Sequence, residues 1–225
     1  MEILNMALDQ GRKTLSESES KNILKSYGIP VSREIEVTDR QGFDSALRNI
    51  GFPLVIKACS HNITHKTEQG LVRLDIRDER EAGDAFNAIL RDIKSDGGTV
   101  LVQEMINGAR ELVVGFVRDA QFGPCVMFGL GGIFTEIIKD VSFRVAPLAK
   151  EDALDMMGDI KAKKILDSVR GMPPADMEEL SDILVKLGSL GIEQKCISEI
   201  DINPLIISDR GAVAADALIV LNQGS

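Results

Sequence analysis

Apolar positions recur every three or four residues in several stretches, and a glycine or proline closes each stretch. Ser16 with Glu19 forms a capping box for a helix that places Ile23, Leu24 and Tyr27 on one face. Gly28 ends that helix and Pro30 prevents it from resuming. Phe43, Ala46, Leu47 and Ile50 mark a second helix stopped by Gly51. A third, from Asp78 to about Lys94, presents Ala82, Ala85, Phe86, Ile89, Leu90 and Ile93. Between them run short strand patterns at Glu34–Val37, Leu54–Lys57 and Leu71–Ile76. Strand, helix, strand, strand, helix describes a small α+β lobe. Residues 1–13 show no clear period and read as a loose lead-in.

From Thr99 the β runs lengthen: Thr99–Ile106, Glu111–Arg118 and Pro124–Phe128, with further strand pattern at Ile133–Ile138 and Phe143–Ala146. After Pro147 helix formers return over Lys150–Ile160, over Lys163–Val169, and through Met177, Leu180, Ile183, Leu184, Leu187 and Leu190. Two β runs close the chain, Ile197–Ile207 and Ala212–Leu221, joined by the hairpin signal Asp209-Arg210-Gly211. This second lobe reads as a mixed sheet carrying helices, with the boundary between lobes near residues 103–108.

Composition narrows the function. The 225 residues are enough for one large domain or two small lobes with a real core. The formal charge of −9 argues against a nucleic-acid or membrane-surface partner, either of which favours a basic face. Cys59, Cys125 and Cys196 are far apart and lack C-x-x-C spacing, so they read as reduced core thiols of a cytoplasmic protein. No signal peptide or transmembrane run is visible.

Candidate chemistry begins with Leu54–Gly70. A short buried strand ends at Lys57, and a lysine there must reach water or meet a fixed anion. The polar loop that follows carries both histidines, His61 and His65. Lysine and imidazole together suit phosphate handling. The alternative is a snorkelling lysine beside an ordinary solvated loop. The two histidines lack a third ligand and the Glu of a zinc helix, so zinc is a poor reading.

In Glu199-Ile200-Asp201-Ile202-Asn203-Pro204 the isoleucines point to one face of a strand, and Glu199, Asp201 and Asn203 to the other. Asp216 interrupts an apolar run on the partner strand and calls for a cation or strong donors. Asn203 with Asp216 gives Mg²⁺ a few protein oxygens and leaves places for phosphate oxygens and water. A wet edge strand is the plainer alternative. If residues 103–106 connect the lobes, their backbone can meet an adenine edge and Glu111 the ribose hydroxyls; a solvated strand start is the commoner fate of a lone Glu. Gly129-Leu130-Gly131-Gly132 fits neither the G-x-G-x-x-G nor the Walker pattern.

Taken together, the connector around Gln103-Glu104-Met105, the run ELVVGFVRDAQFGPCVMFGLGGIFTEIIKDVSFRVAPL and the motif EIDINPL closely resemble the β subunit of the ADP-forming acyl-CoA (acetyl-CoA) synthetases, related to the succinyl-CoA synthetase β chain. The resemblance runs from about Leu15 to Leu221. It implies an α+β ATP-grasp fold over residues 1–225. A small lobe (28–103) and a larger lobe (104–225, with 1–27 packed nearby) would clasp ATP or ADP with Mg²⁺. It implies a CoA-binding α subunit as partner in an α2β2 assembly, and reversible conversion of acyl-CoA, ADP and phosphate to acid, CoA and ATP. By the same resemblance His65 receives the phosphoryl group and Asp201 orients it. Lys57 contacts nucleotide phosphates, Gln103, Glu104 and Met105 hold adenine, Glu111 holds ribose, and Asn203 and Asp216 hold the metal. Two positions depart from the family pattern: Gln69-Gly70-Leu71 keeps one glycine of a usual pair, and His61 replaces an expected proline. A stand-alone carboxylate ligase and a catalytically silent nucleotide-binding module are the alternatives.

Overall fold

The computed structural model describes residues 2–62, 69–93, 97–132, 139–168 and 171–222. His65 lies outside the described residues. The chain begins with helix α1 (Glu2–Asp9), where a loose lead-in was expected. Its eight residues are too few to display a period, yet Leu4 and Ala7 are buried against the larger core. Helix α2 (Glu17–Ser26) starts at Ser16 with the expected capping box: Glu19 N–H donates to the Ser16 hydroxyl and Ser16 N–H to the Glu19 carboxylate.

The first sheet comprises β1 (Glu34–Val37), β2 (Leu54–Cys59), β3 (Val72–Ile76) and β4 (Thr99–Glu104), in the order β1-β4-β2-β3 and antiparallel throughout. Alternation gives it two different faces. Leu54, Ile56, Ala58, Val100 and Val102 join the core beneath α3 (Arg40–Ile50) and α4 (Glu79–Asp92), where Phe43 stacks on Phe86. Lys57 and Gln103 alternate to the opposite face and are buried as well.

The second sheet contains β5 (Arg110–Asp119), β6 (Gly123–Leu130), β7 (Val141–Val145), β8 (Ile197–Ser208), β9 (Gly211–Ala214) and β10 (Leu218–Leu221), in the order β10-β8-β5-β6-β7 with β9 also on β8. Among the described residues the ladders between these strands are antiparallel, where a mixed sheet was expected; the parallel pairing is a single bridge between Val31 and Ala214 of β9. Short turns such as 120–122 and 209–210 return the chain directly to its neighbour, and antiparallel pairing is what such turns permit. Helices α5 (Lys150–Asp159) and α6 (Met177–Glu193) pack against this sheet, and α2 closes the same core through Leu15, Ile23 and Leu24. Of the stretch Lys163–Val169, where a helix was expected, the described residues form a 3-10 turn, Lys163–Leu166, and Val169 lies outside them. Among the described residues no helix is long and apolar enough to cross a membrane.

Candidate functional site

The polar face of the first sheet meets one stripe of α2. Glu17, Ser20, Lys21 and Leu24 recur at helical spacing and all four are buried. Ser20 accepts a hydrogen bond from Ile219 N–H on β10, which ties the helix to the second sheet. Lys21 reaches the other way: its ammonium donates to Glu17 (2.8 Å), Ser32 (3.0 Å), Glu34 (2.6 Å) and Gln103 (2.8 Å). Burial works against this ammonium, but Glu17, Glu34 and Asp216 outweigh it and hold the lysine above its ordinary range. Glu34 bears the opposite effect: burial pushes its carboxyl up, and the two lysines only partly offset that.

Lys57 sits within β2, not at its end, because the strand runs two residues further to Cys59. Its ammonium neither snorkels nor reaches open water. It donates to the same Glu17 oxygen (2.8 Å) and to the Ala215 carbonyl (2.9 Å), and lies 3.7 Å from an Asp216 carboxylate oxygen. The fixed anion that the sequence called for is therefore Glu17. Nothing in ESESKNILK distinguishes Glu17 and Lys21 from an ordinary solvated i, i+4 pair, and sequence reasoning missed both.

Asp216 does not lie inside a strand. The closing β run divides into β9 and β10, with Asp216 between them. Both halves pair with β8, through Leu205↔Ala214 on one side and Asp201↔Leu218 on the other. The register is the same across the gap, so residues 202–204 face residues 215–217 outside this ladder and Asp216 stands level with Asn203. The break has a local cause, since Pro204 has no N–H to give a ladder; its carbonyl instead accepts from Ala215 N–H at 3.0 Å. Asp216 also accepts from Ala217 N–H at 2.8 Å, and about a third of its side chain (31%) is exposed.

Asp201 is two residues before Asn203 on the same face of β8. Burial, then the charges of Glu199 and Asp216, push its carboxyl up to about 6. Ile200 and Ile202 are buried on the opposite face, as alternation requires. Among the described residues no three His, Cys, Asp or Glu side chains converge into a ready cation cluster. Asn203 and Asp216 are nonetheless hard oxygen donors of the kind Mg²⁺ takes, brought level by the register, and they fit a cation completed by phosphate and water oxygens.

The connector is narrower than Gln103–Ile106. Gln103 and Glu104 end the central strand β4. The Gln103 amide is buried on Lys21, while Glu104 accepts from the Arg33 backbone N–H (2.9 Å) and guanidinium (3.0 Å) and from Arg210 (3.3 Å). The N–H groups of Glu104 and Met105 already donate to the carbonyls of Arg33 and Pro53, so an adenine edge would have to use carbonyls or the residues after Met105. Glu111, at the start of β5, has an exposed side chain lying against Gly132. Gly132 in turn donates its N–H to the Asn203 side-chain oxygen at 3.4 Å. The glycine turn, which matched no phosphate motif, thus bridges the ribose candidate and the metal candidate. Gly131 must be glycine, because a Cβ there would lie 2.5 Å from the Leu112 backbone.

An ATP-grasp domain family model matches residues 6–221. The ADP-forming acetate–CoA ligase I subunit beta of Pyrococcus furiosus is 46% identical over 225 residues, spanning 98% of this chain and 97% of that protein. The dinucleotide-forming acetyl-coenzyme A synthetase 1 of Ca. Korarchaeum cryptofilum, solved with coenzyme A, Ca-AMPCP and HgCl+, superposes with a TM-score of 0.93 at 41% identity, over 98% of this chain and 99% of that one. A second structure of that enzyme, with coenzyme A, acetyl-coenzyme A and a phosphorylated phosphohistidine segment, gives a TM-score of 0.87 at 40% identity, with the same coverage.

Proposed function

Because this chain belongs to the ATP-grasp family, alongside the β subunits of ADP-forming acetate–CoA ligases, we propose that it is the nucleotide-binding β subunit of an ADP-forming acyl-CoA (acetyl-CoA) synthetase. It passes a phosphoryl group through a histidine to ADP, in the reversible reaction acyl-CoA + ADP + phosphate ⇌ acid + CoA + ATP. The observation that carries this reading is the convergence of Lys57, Asn203 and Asp216 where the two sheets meet.

Phosphoryl transfer asks a protein for positioning and for compensation of negative charge. Lys57, on the rigid strand β2 and held here by Glu17, is the ammonium assigned to the phosphate oxygens. Glu111 accepts from ribose hydroxyls beside Gly132, and the connector after Gln103-Glu104-Met105 borders adenine. Asn203 and Asp216 hold the magnesium ion, which supplies charge neutralisation at the phosphates when bound. His65 is the phosphoryl acceptor by its motif NITHKTEQG, and Asp201 is the acidic group that fixes its tautomer.

The partner is a CoA-binding α subunit that forms the acyl phosphate, in an α2β2 assembly. The test reconstitutes the chain with that subunit and supplies acetyl phosphate or ATP with Mg²⁺. Label is expected on His65, and His65→Ala should abolish ATP synthesis while leaving Mg·ADP binding nearly intact. Turnover that survives His65→Ala would overturn the phosphohistidine route and favour a ligase acting alone.

A further inference from the structure

Three charged groups share one small volume: Glu17 from α2, Lys57 from β2, and Asp216 from the gap between β9 and β10. Their distances are unequal. The Lys57 ammonium is 2.8 Å from Glu17 but 3.7 Å from Asp216. Glu17 is fixed from three directions: the capping box begins its helix, its side chain is 2% exposed, and Lys21 grips the same oxygen at 2.8 Å. We infer that Glu17 is a positioning residue that holds the Lys57 ammonium off Asp216, so that the lysine does not compete for this carboxylate with the divalent cation that accompanies the nucleotide. The inference rests on the proposed role of Asn203 and Asp216 as cation ligands.

With 6% of its side chain exposed, the Lys57 ammonium has little water to draw on and is costly to bury without a carboxylate beside it. If the charge on Glu17 is removed, Asp216 is the carboxylate that remains within 4.0 Å of the Lys57 ammonium among the described residues. A small rotation of the lysine tip closes the gap to hydrogen-bond distance. Asp216 Oδ1 accepts from Ala217 N–H, and Asp216 Oδ2 lies 3.7 Å from the Lys57 ammonium. Cation and lysine would then compete for that oxygen. Glu17 prevents the competition while touching neither nucleotide nor metal.

The test uses the full chain and reads binding. Mn²⁺ uptake is followed by electron paramagnetic resonance, and Mg·ADP affinity by calorimetry across a range of Mg²⁺ concentrations. Glu17→Gln is expected to raise the half-saturating Mn²⁺ about ten- to a hundredfold, the size of one hydrogen bond to a charged group. Its loss of ADP affinity should appear at low Mg²⁺ and recover at high Mg²⁺. In a Lys57→Met background, Glu17→Gln should add nothing. Should the single variant fail to fold, Glu17→Gln/Lys21→Met removes one charge of each sign and carries the same expectation. A lower thermal midpoint with unchanged Mn²⁺ half-saturation overturns the inference, as does an equal effect with Lys57 absent. A wild-type chain that takes up neither Mn²⁺ nor Mg·ADP overturns the proposed function and this inference with it.

Discussion

Replacing Lys21 with methionine removes an ammonium of similar length from a site with almost no access to water, its side chain being 2% exposed. Four acceptors stand within 3.0 Å of it, on Glu17, Ser32, Glu34 and Gln103. Glu17 keeps Lys57 at 2.8 Å, whereas Glu34 loses the ammonium that it contacts directly. Breaking a buried charge pair from one side costs about 3–5 kcal/mol, because the stranded carboxylate stays desolvated. That is a large share of the ~5–15 kcal/mol that holds a typical domain together. For a chain of this length it corresponds to a midpoint lowered by about 6–20 °C. Thermal unfolding at pH 7, followed by circular dichroism, measures it. Glu34→Gln added to Lys21→Met should restore part of the loss, since it removes the stranded charge. A Lys21→Met midpoint within 2 °C of wild type, or a double variant weaker than the single one by the full effect of Glu34→Gln, would show that the cluster does not bind the sheets as described.

Asp216→Asn should raise the Mg²⁺ needed for half-maximal ADP binding by at least about tenfold, and EDTA should weaken ADP binding to wild type; calorimetry at fixed ADP reads both. Gly131→Ala drives a methyl to 2.5 Å from the Leu112 backbone, so β6 must part from β5 at its end. A loss of about 1–3 kcal/mol is expected in urea unfolding, and an unchanged midpoint would contradict the packing. Burial pushes the Glu104 carboxyl up, but the Arg33 backbone N–H, the Arg33 guanidinium and Arg210 outweigh it, so its pKa lies below the ordinary value. Its stabilisation is therefore present above the unfolded pKa and lost as pH falls through the lower folded one. Glu104→Gln should cost about 1.5–3 kcal/mol at pH 7, with the gap to wild type narrowing as the medium is acidified below about pH 4; a gap that widens there would reverse the sign.

Local signals in the sequence carried well. The capping box at Ser16 and Glu19, the helical spacing at Phe43–Ile50 and the alternation through Ile200 and Ile202 each concern residues a few positions apart. Such patterns record one element meeting one core. Helix α1 escaped because two buried residues in eight define no period. The partner of Lys57 escaped because Glu17 is 40 positions away and looks like a solvated helix charge until the fold buries it. The division at Asp216 escaped for another reason: its cause, Pro204, lies on the opposite strand. The sense of the larger sheet depends on which strands become neighbours, and only tertiary packing decides that.

The facing triplets around Pro204 and Asp216 also constrain how the gene can vary. Adding or deleting one residue between Ala214 and Leu218 would leave either β9 or β10 out of step with β8 and turn its side chains over. Only a matching change between Asp201 and Leu205 would realign both halves. Two segments more than ten residues apart in the chain must therefore keep a common length, whatever happens to the hairpin tip between them.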